Sequence, residues 1–208
     1  MARHVVTVED VRAVASGGEL LVPLGGVLTD LAREEAARRN IRIRFADSPS
    51  PGPVPRRVVA LGSDHAGFEL KQSLKRHLKE WGYDVHDLGT DSPRPVDYPD
   101  FAAAVAREVA AGKAWRGIIA DAVGIGSAMA ANKMPGVRAA LCYDQATARS
   151  SREHNDANVL SLGARMISPE VAREVVAVWL GTEFAGGRHQ RRVEKISALE
   201  RSLQEDSR

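Results

Sequence analysis

The feature that most constrains this chain is the regular alternation, downstream of Arg57, of short apolar runs with amphipathic stretches. Apolar runs near Val58, Asp84, Gly117, Val137 and Asn158 alternate with helical patterns near Glu69, Phe101, Ser127, Asp144 and Pro169. In the first helix the apolar residues Phe68, Leu70, Leu74 and Leu78 recur at helical spacing. Strands separated by helix-length crossovers pair in parallel, so the pattern predicts an α/β fold with a parallel sheet between helices. A last helix, Arg191 to Gln204, runs into a charged tail.

The upstream part reads differently. Residues 47–56 fall in Ala46-Asp47-Ser48-Pro49-Ser50-Pro51-Gly52-Pro53-Val54-Pro55, whose prolines fix φ and remove donors, as in an extended linker. Before it, residues 1–46 predict a helix starting at Thr7-Val8-Glu9-Asp10 and a short strand from Glu19 to Val22. They also predict a capped helix from Thr29 to Arg39 and a strand from Ile41 to Phe45. So short a segment can barely bury a core of its own. It is expected to dock on the larger domain (57–208), on its twin in a dimer, or on another protein.

Chemistry-bearing residues collect at strand ends and helix starts. The run Gly117-Ile118-Ile119-Ala120-Asp121-Ala122-Val123-Gly124-Ile125-Gly126-Ser127 is an apolar strand that delivers Asp121 to a glycine-punctuated turn before a small-residue helix. In open α/β sheets ligands bind outside the carboxyl ends of the strands, where glycines let N–H groups approach an anion; such turns also close ordinary strand–helix junctions. Ser63-Asp64-His65-Ala66-Gly67 occupies the equivalent place after the first strand, and Asp64 is equally readable as a helix cap. Arg152-Glu153-His154-Asn155-Asp156 precedes a later strand, and Gly187-Arg188-His189-Gln190-Arg191-Arg192 opens the last helix, with Arg188 and Arg192 one turn apart. An acid, histidines, an amide and paired arginines suit a phosphorylated, hydroxyl-rich ligand.

These motifs, together with Asp97-Tyr98-Pro99 and Ala131-Asn132-Lys133, resemble those of the type B ribose-5-phosphate isomerases, a family that also contains galactose-6-phosphate isomerase subunits. The resemblance runs from about Arg57 to the C-terminus. It implies a Rossmann-like three-layer fold with a five-stranded parallel sheet, and a homodimer or dimer of dimers acting on a sugar phosphate without metal or cofactor. It further implies His154 as the ring-opening histidine, with Asp64, His65, Tyr98 and Asn155 around the sugar. The N–H groups of Gly124, Ile125, Gly126 and Ser127 would surround an enediolate oxygen, and Arg165, Arg188 and Arg192 would hold the phosphate. In the family, arginines matching the last two come from the neighbouring subunit.

One departure stands out. Many members carry a cysteine base where this chain has Asp121, and a subgroup uses a glutamate at the position of Ser127. Ala122 and Val123 replace a small polar pair, and are expected to wall Asp121 into a partly dry pocket where a carboxylate could serve as the base. An isomerase of another sugar phosphate and a catalytically impaired, sugar-phosphate-binding scaffold or regulatory subunit are the competing expectations. The N-terminal segment, through Glu9-Asp10-Val11-Arg12, Val22-Pro23 and Thr29 before Ala32-Arg33, resembles those of bacterial-microcompartment proteins. That likeness implies a shell or cargo partner; a dimer-stabilising extension is the alternative.

Composition excludes other classes. A net charge of +2 with interspersed signs does not imply nucleic acid. No apolar run is long enough for a bilayer and the N-terminus lacks a signal-peptide core, so neither membrane nor export is expected. The single cysteine, Cys142, permits no internal disulfide and fits the cytoplasm; its apolar context marks it as a buried strand residue.

Overall fold

In a computed structural model of the chain, residues 5–22, 27–45 and 57–205 are described, and the chain divides into two compact units between Pro55 and Arg56. The proline-rich linker 47–56 lies outside the described residues.

The smaller unit contains β1 (Val5–Val6), α1 (Val8–Arg12), β2 (Glu19–Val22), β3 (Val27–Leu28), α2 (Asp30–Arg38) and β4 (Arg42–Phe45). β1 pairs with β3 and β2 with β4, both in parallel. The two-residue strands β1 and β3 are too short to leave an alternation in the sequence. Thr29 caps α2 by accepting from Ala32 N at 3.2 Å, as its position predicts. Val6, Val11, Val22, Leu28, Ala32, Ala36 and Ile41 form a small core. Arg39 donates to Val11 O in the last turn of α1 at 3.0 Å and to Val14 O beyond its end at 2.9 Å.

The larger unit follows the alternation: β5 (Val58–Ser63), α3 (Phe68–Glu80), β6 (Asp84–Asp87), α4 (Tyr98–Ala110), β7 (Arg116–Asp121), α5 (Ile125–Ala131), β8 (Ala139–Leu141), α6 (Gln145–Asn155), β9 (Val159–Gly163), α7 (Pro169–Gly181) and α8 (Gln190–Glu205). The five strands form one parallel sheet in the order β6-β5-β7-β9-β8. One face packs Leu61, Ile118, Leu160 and Leu162 against Leu70, Leu74 and Leu78 of α3, Ala148 of α6, and Val175, Val176 and Trp179 of α7. The other packs Ala60, Ile119 and Val159 against Ala102, Val105, Ala106 and Val109 of α4 and Ala131 of α5. Residues buried on both faces explain why β5, β7 and β9 read as continuous apolar runs rather than alternating ones. β8 starts two residues later than its apolar run suggests. Val137 N is taken by a turn to Met134 O, and the strand opens where the Asn132 side chain accepts from Ala139 N and donates to Ala139 O.

The strand order places a topological switch between β5 and β7. From β5 the chain moves to β6 on one side, and from β7 to the other side of the sheet. A crevice opens where such connections diverge at the carboxyl edge.

Candidate functional site

At that crevice β7 ends in Asp121, one register step beyond the pair Ser63↔Ala120 that brings Asp64 alongside. Asp121 is 5 % exposed. Its Oδ1 accepts from Val123 N at 2.8 Å and from Gly124 N; its Oδ2 accepts from Ser127 N at 3.2 Å and from Ser127 Oγ at 2.5 Å. Four donors thus meet the roughly four lone-pair sites of the carboxylate. Asp121 is buried, but the groups in contact with its oxygens are N–H and O–H donors. Val123 meets the carboxylate through its backbone N–H and is itself 37 % exposed. The turn needs Gly124, whose φ of +89° is left-handed and whose missing Cβ would meet Leu141 Cδ1 at 2.5 Å. Neighbours pin the loop from outside: Ser161 Oγ donates to Gly124 O at 2.7 Å, Tyr143 OH to Val123 O at 2.6 Å, and Ala164 N to Asp121 O at 2.8 Å.

Of the four N–H groups expected to face an enediolate, two are therefore occupied by Asp121, those of Gly124 and Ser127. Ile125 and Gly126 offer the remaining first-turn donors of α5, which no intrahelical carbonyl can satisfy. Tyr98, 40 % exposed at the start of α4, lies flat against Gly126: a Cβ there would fall 2.6 Å from its ring. Asp64 proves to be a cap and more. Its Oδ1 accepts from Ala66 N and Gly67 N, both at 2.9 Å, whereas Oδ2 takes part in no hydrogen bond among the described residues and stands 3.9 Å from His65 Nδ1. His65 Nδ1 lies 3.2 Å from both Val96 N and Val96 O, which ties the loop before α4 to this ring. Arg165 follows β9 on the same edge, its N donating to Ala122 O at 3.0 Å, with its side chain exposed.

The other candidate residues lie at the opposite edge of the sheet. His154 and Asn155 end α6, which descends from β8 toward the start of β9, and Arg138 Nε donates to Asn155 O at 3.2 Å just before β8 begins. Asp121 pairs with Gly163 at the end of β9, while Gly117 pairs with Val159 at its start. Four strand steps separate the two edges, about 13 Å along the sheet. A 3₁₀ turn, Gly187–His189, carries Arg188 to the His154 edge, where the rings of His154 and His189 stack at 4.4 Å between centroids and 13° between planes. Arg192 follows in the first turn of α8, exposed. Beside them lies a cavity of about 240 Å³ lined by Asn132, Arg138, Asn155 and Ile196 among others. The fold thus divides the candidate residues into two clusters, Asp64, His65, Tyr98, Asp121, Gly124–Ser127 and Arg165 on one edge, His154, Asn155, Arg188 and Arg192 on the other.

Residues 59–196 match the model of the Ribose/Galactose Isomerase family. The chain belongs to this family. It is 46 % identical over 142 residues to ribose-5-phosphate isomerase B of Escherichia coli, covering 68 % of this chain and 95 % of that one. It is 41 % identical over 144 residues to D-erythrulose-4-phosphate isomerase of Pectobacterium atrosepticum, covering 68 % and 94 %. Among solved structures, ribose-5-phosphate isomerase B of Clostridium thermocellum superposes with a TM-score of 0.69 at 47 % identity, covering 70 % of this chain and 99 % of that one. In this ribose/galactose isomerase family member the matched region starts after the smaller unit.

Sequence reasoning missed three contributors in this family fold. Val96 grips His65 through main-chain atoms, which carry no residue-type signal. Ser150, whose Oγ lies 3.1 Å from His154 Nδ1, is one helical turn before that histidine, a spacing that could have marked it. His189 was visible only as part of its motif. Among the described residues no group of three or more His, Cys, Asp or Glu could hold a metal ion, and no helix is long and apolar enough to cross a membrane. Cys142 is 1 % exposed, one residue past β8, and burial pushes its thiol pKa up, as suits a packing residue.

Proposed function

We propose that the chain interconverts an aldose phosphate and its ketose, with ribose 5-phosphate and ribulose 5-phosphate the first pair to test, in a site completed by two copies of the chain. The observation that carries this reading is the division of the ligand-binding residues between opposite sheet edges. A single chain cannot bring His154 or Arg188 to Asp121, whereas a second copy can set its His154 edge over the first copy's Asp121 edge.

In such a site His154 passes a proton to the ring oxygen, opening the sugar. Asp64 Oδ2 and His65 hold hydroxyls, Asn155 and Tyr98 border the chain, and Arg165, Arg188 and Arg192 grip the phosphate. Asp121 takes the proton from C2 and returns it to C1, a second proton passes from O2 to O1 through the enediolate, and the N–H groups of Ile125 and Gly126 stabilise the enediolate oxygen. The Ser127 hydroxyl is a rotor; turned onto a substrate oxygen, it releases one lone pair of Asp121 Oδ2 without disturbing the backbone bonds of the turn. A coupled isomerisation assay with ribose 5-phosphate tests the reading; a purified dimer that binds this substrate without converting it would reject it.

The second reading, a sugar-phosphate-binding scaffold, is favoured by the same carboxylate, since every lone pair of Asp121 already has a partner. Exchange of the C2 proton with deuterated solvent separates the two, because a scaffold exchanges none. For the N-terminal unit we propose a docking or targeting role in the cytoplasm, with a microcompartment shell or cargo protein as the partner to seek. Val5, Leu21, Val27 and Leu31, each 45 % exposed or more, are the surface available for it. A chain shortened to start at Arg57 should stay soluble and active, and residues 1–46 fused to a fluorescent protein should relocate it.

A further inference from the structure

His189 belongs to no role described so far, yet its placement is unusual for a residue at a helix entrance. It is 8 % exposed, and its Nδ1 is buried without a hydrogen-bond partner. Arg188 Nε donates to its Nε2 at 3.3 Å. A guanidinium N–H can only donate, so Nε2 accepts, and the neutral ring carries its proton on Nδ1. One face of that ring lies against His154 at 4.4 Å, nearly parallel. His154 in turn meets Ser150 Oγ through Nδ1. Its plane is thus set by His189, its Nδ1 is engaged by Ser150, and Nε2 is the atom left to exchange a proton.

The ring is kept neutral by its surroundings, since burial first, then His154, Arg188 and Arg192, hold its pKa down against the opposing pull of Glu153. A protonated ring stacked on His154 would repel the charge that His154 acquires when it takes a proton. A neutral one accepts the stack in either state. Arg188, anchored to His189 Nε2 through Nε, has its terminal nitrogens to offer an anion.

We propose that His189 is a positioning residue for His154, holding the ring-opening imidazole in a fixed plane and linking it to the phosphate arginine Arg188. This rests on the isomerase reading, in which His154 opens the ring.

The experiment is a double-mutant cycle on the full chain, read as kcat for ribose 5-phosphate with KM followed separately. His189→Ala should lower kcat about ten- to hundredfold, the usual penalty for a misplaced catalytic group. His189→Phe, which restores a flat face but no acceptor for Arg188, should recover kcat while leaving KM raised. In a His154→Ala background, His189→Ala should add less than about a twofold further loss, because there is no imidazole left to position. Losses that multiply in the double variant would show that His189 acts independently of His154, and would overturn the proposal with the isomerase reading intact. An inactive wild-type dimer would instead fell that reading and this inference together.

Discussion

Ser127 Oγ donates to Asp121 Oδ2 at 2.5 Å, a contact buried at both ends. The pair makes Asp121 an anchor of the turn as well as the proposed base. Substitution at these two positions should therefore report on folding and on turnover at once.

Asp121→Asn should lower kcat by about two to four orders of magnitude as the base is lost. It should also reduce stability by about 1 to 3 kcal/mol, since an amide nitrogen would face N–H donors it cannot accept from. Asp121→Cys should regain part of the turnover. Ser127→Ala removes one donor and leaves three, so denaturant titration should register a loss of about 1 kcal/mol. Near-native turnover in Asp121→Asn would remove it as the base.

The two-edge division predicts complementation between chains. Arg188→Ala and Arg192→Ala should each weaken substrate binding by about 1.5 to 3 kcal/mol, the range for a lost charge-assisted contact. Mixing His154→Ala chains with Asp121→Asn chains should yield heterodimers with one intact site and activity well above the residual turnover of either homodimer. Activity absent from verified heterodimers would contradict a site shared between copies.

Stability should depend on Arg116, which is 2 % exposed. Its guanidinium donates to Trp179 O at 2.7 Å, Leu180 O at 3.0 Å and Thr182 O at 3.1 Å, closing the end of α7, with the Trp115 ring 4.0 Å away. Burial, and next the charge of Arg152, push its pKa down to about 10, which leaves it charged at neutral pH. Arg116→Met would strand these carbonyls, and urea denaturation should register a loss of about 3 to 5 kcal/mol. A loss below about 1 kcal/mol would mean that water replaces the guanidinium.

The lowered pKa of His189 gives a pH signature of stability. Because the fold holds the ring neutral, the unfolded chain binds the proton first as pH falls past the ordinary histidine value of 6.5. Its contribution is thus full above that value. It declines between 6.5 and the lower folded value, and levels off below it. Melting temperatures from pH 7.5 to 5 should fall more steeply for wild type than for His189→Phe, and parallel curves would argue that the ring is not held neutral.

The parallel-sheet class was legible in the sequence because strands buried on both faces leave continuous apolar runs and the crossover helices leave a period of their own. The motifs carrying Asp64, Asp121, His154 and Arg188 were legible for a similar reason: residue type and position relative to a strand end are local properties. Strand pairings β1–β3 in the small unit and the late start of β8 were not, since two residues show no period and a side chain such as Asn132 can stand in for a strand partner.

The sequence by itself determined which residues reach strand ends and helix starts. Only the tertiary structure decided where those ends lie and what is already bound there. Whether His154 falls beside Asp121 or about 13 Å below it depends on the direction in which α6 runs after β8, a long-range consequence of sheet order. Whether Asp121 is a bare base or a carboxylate ringed by four donors depends on the path of the next six residues, which Gly124, Ser161 and Tyr143 set together. Local pattern names the groups; hydrogen-bond satisfaction in the folded chain fixes what each has left to offer a ligand.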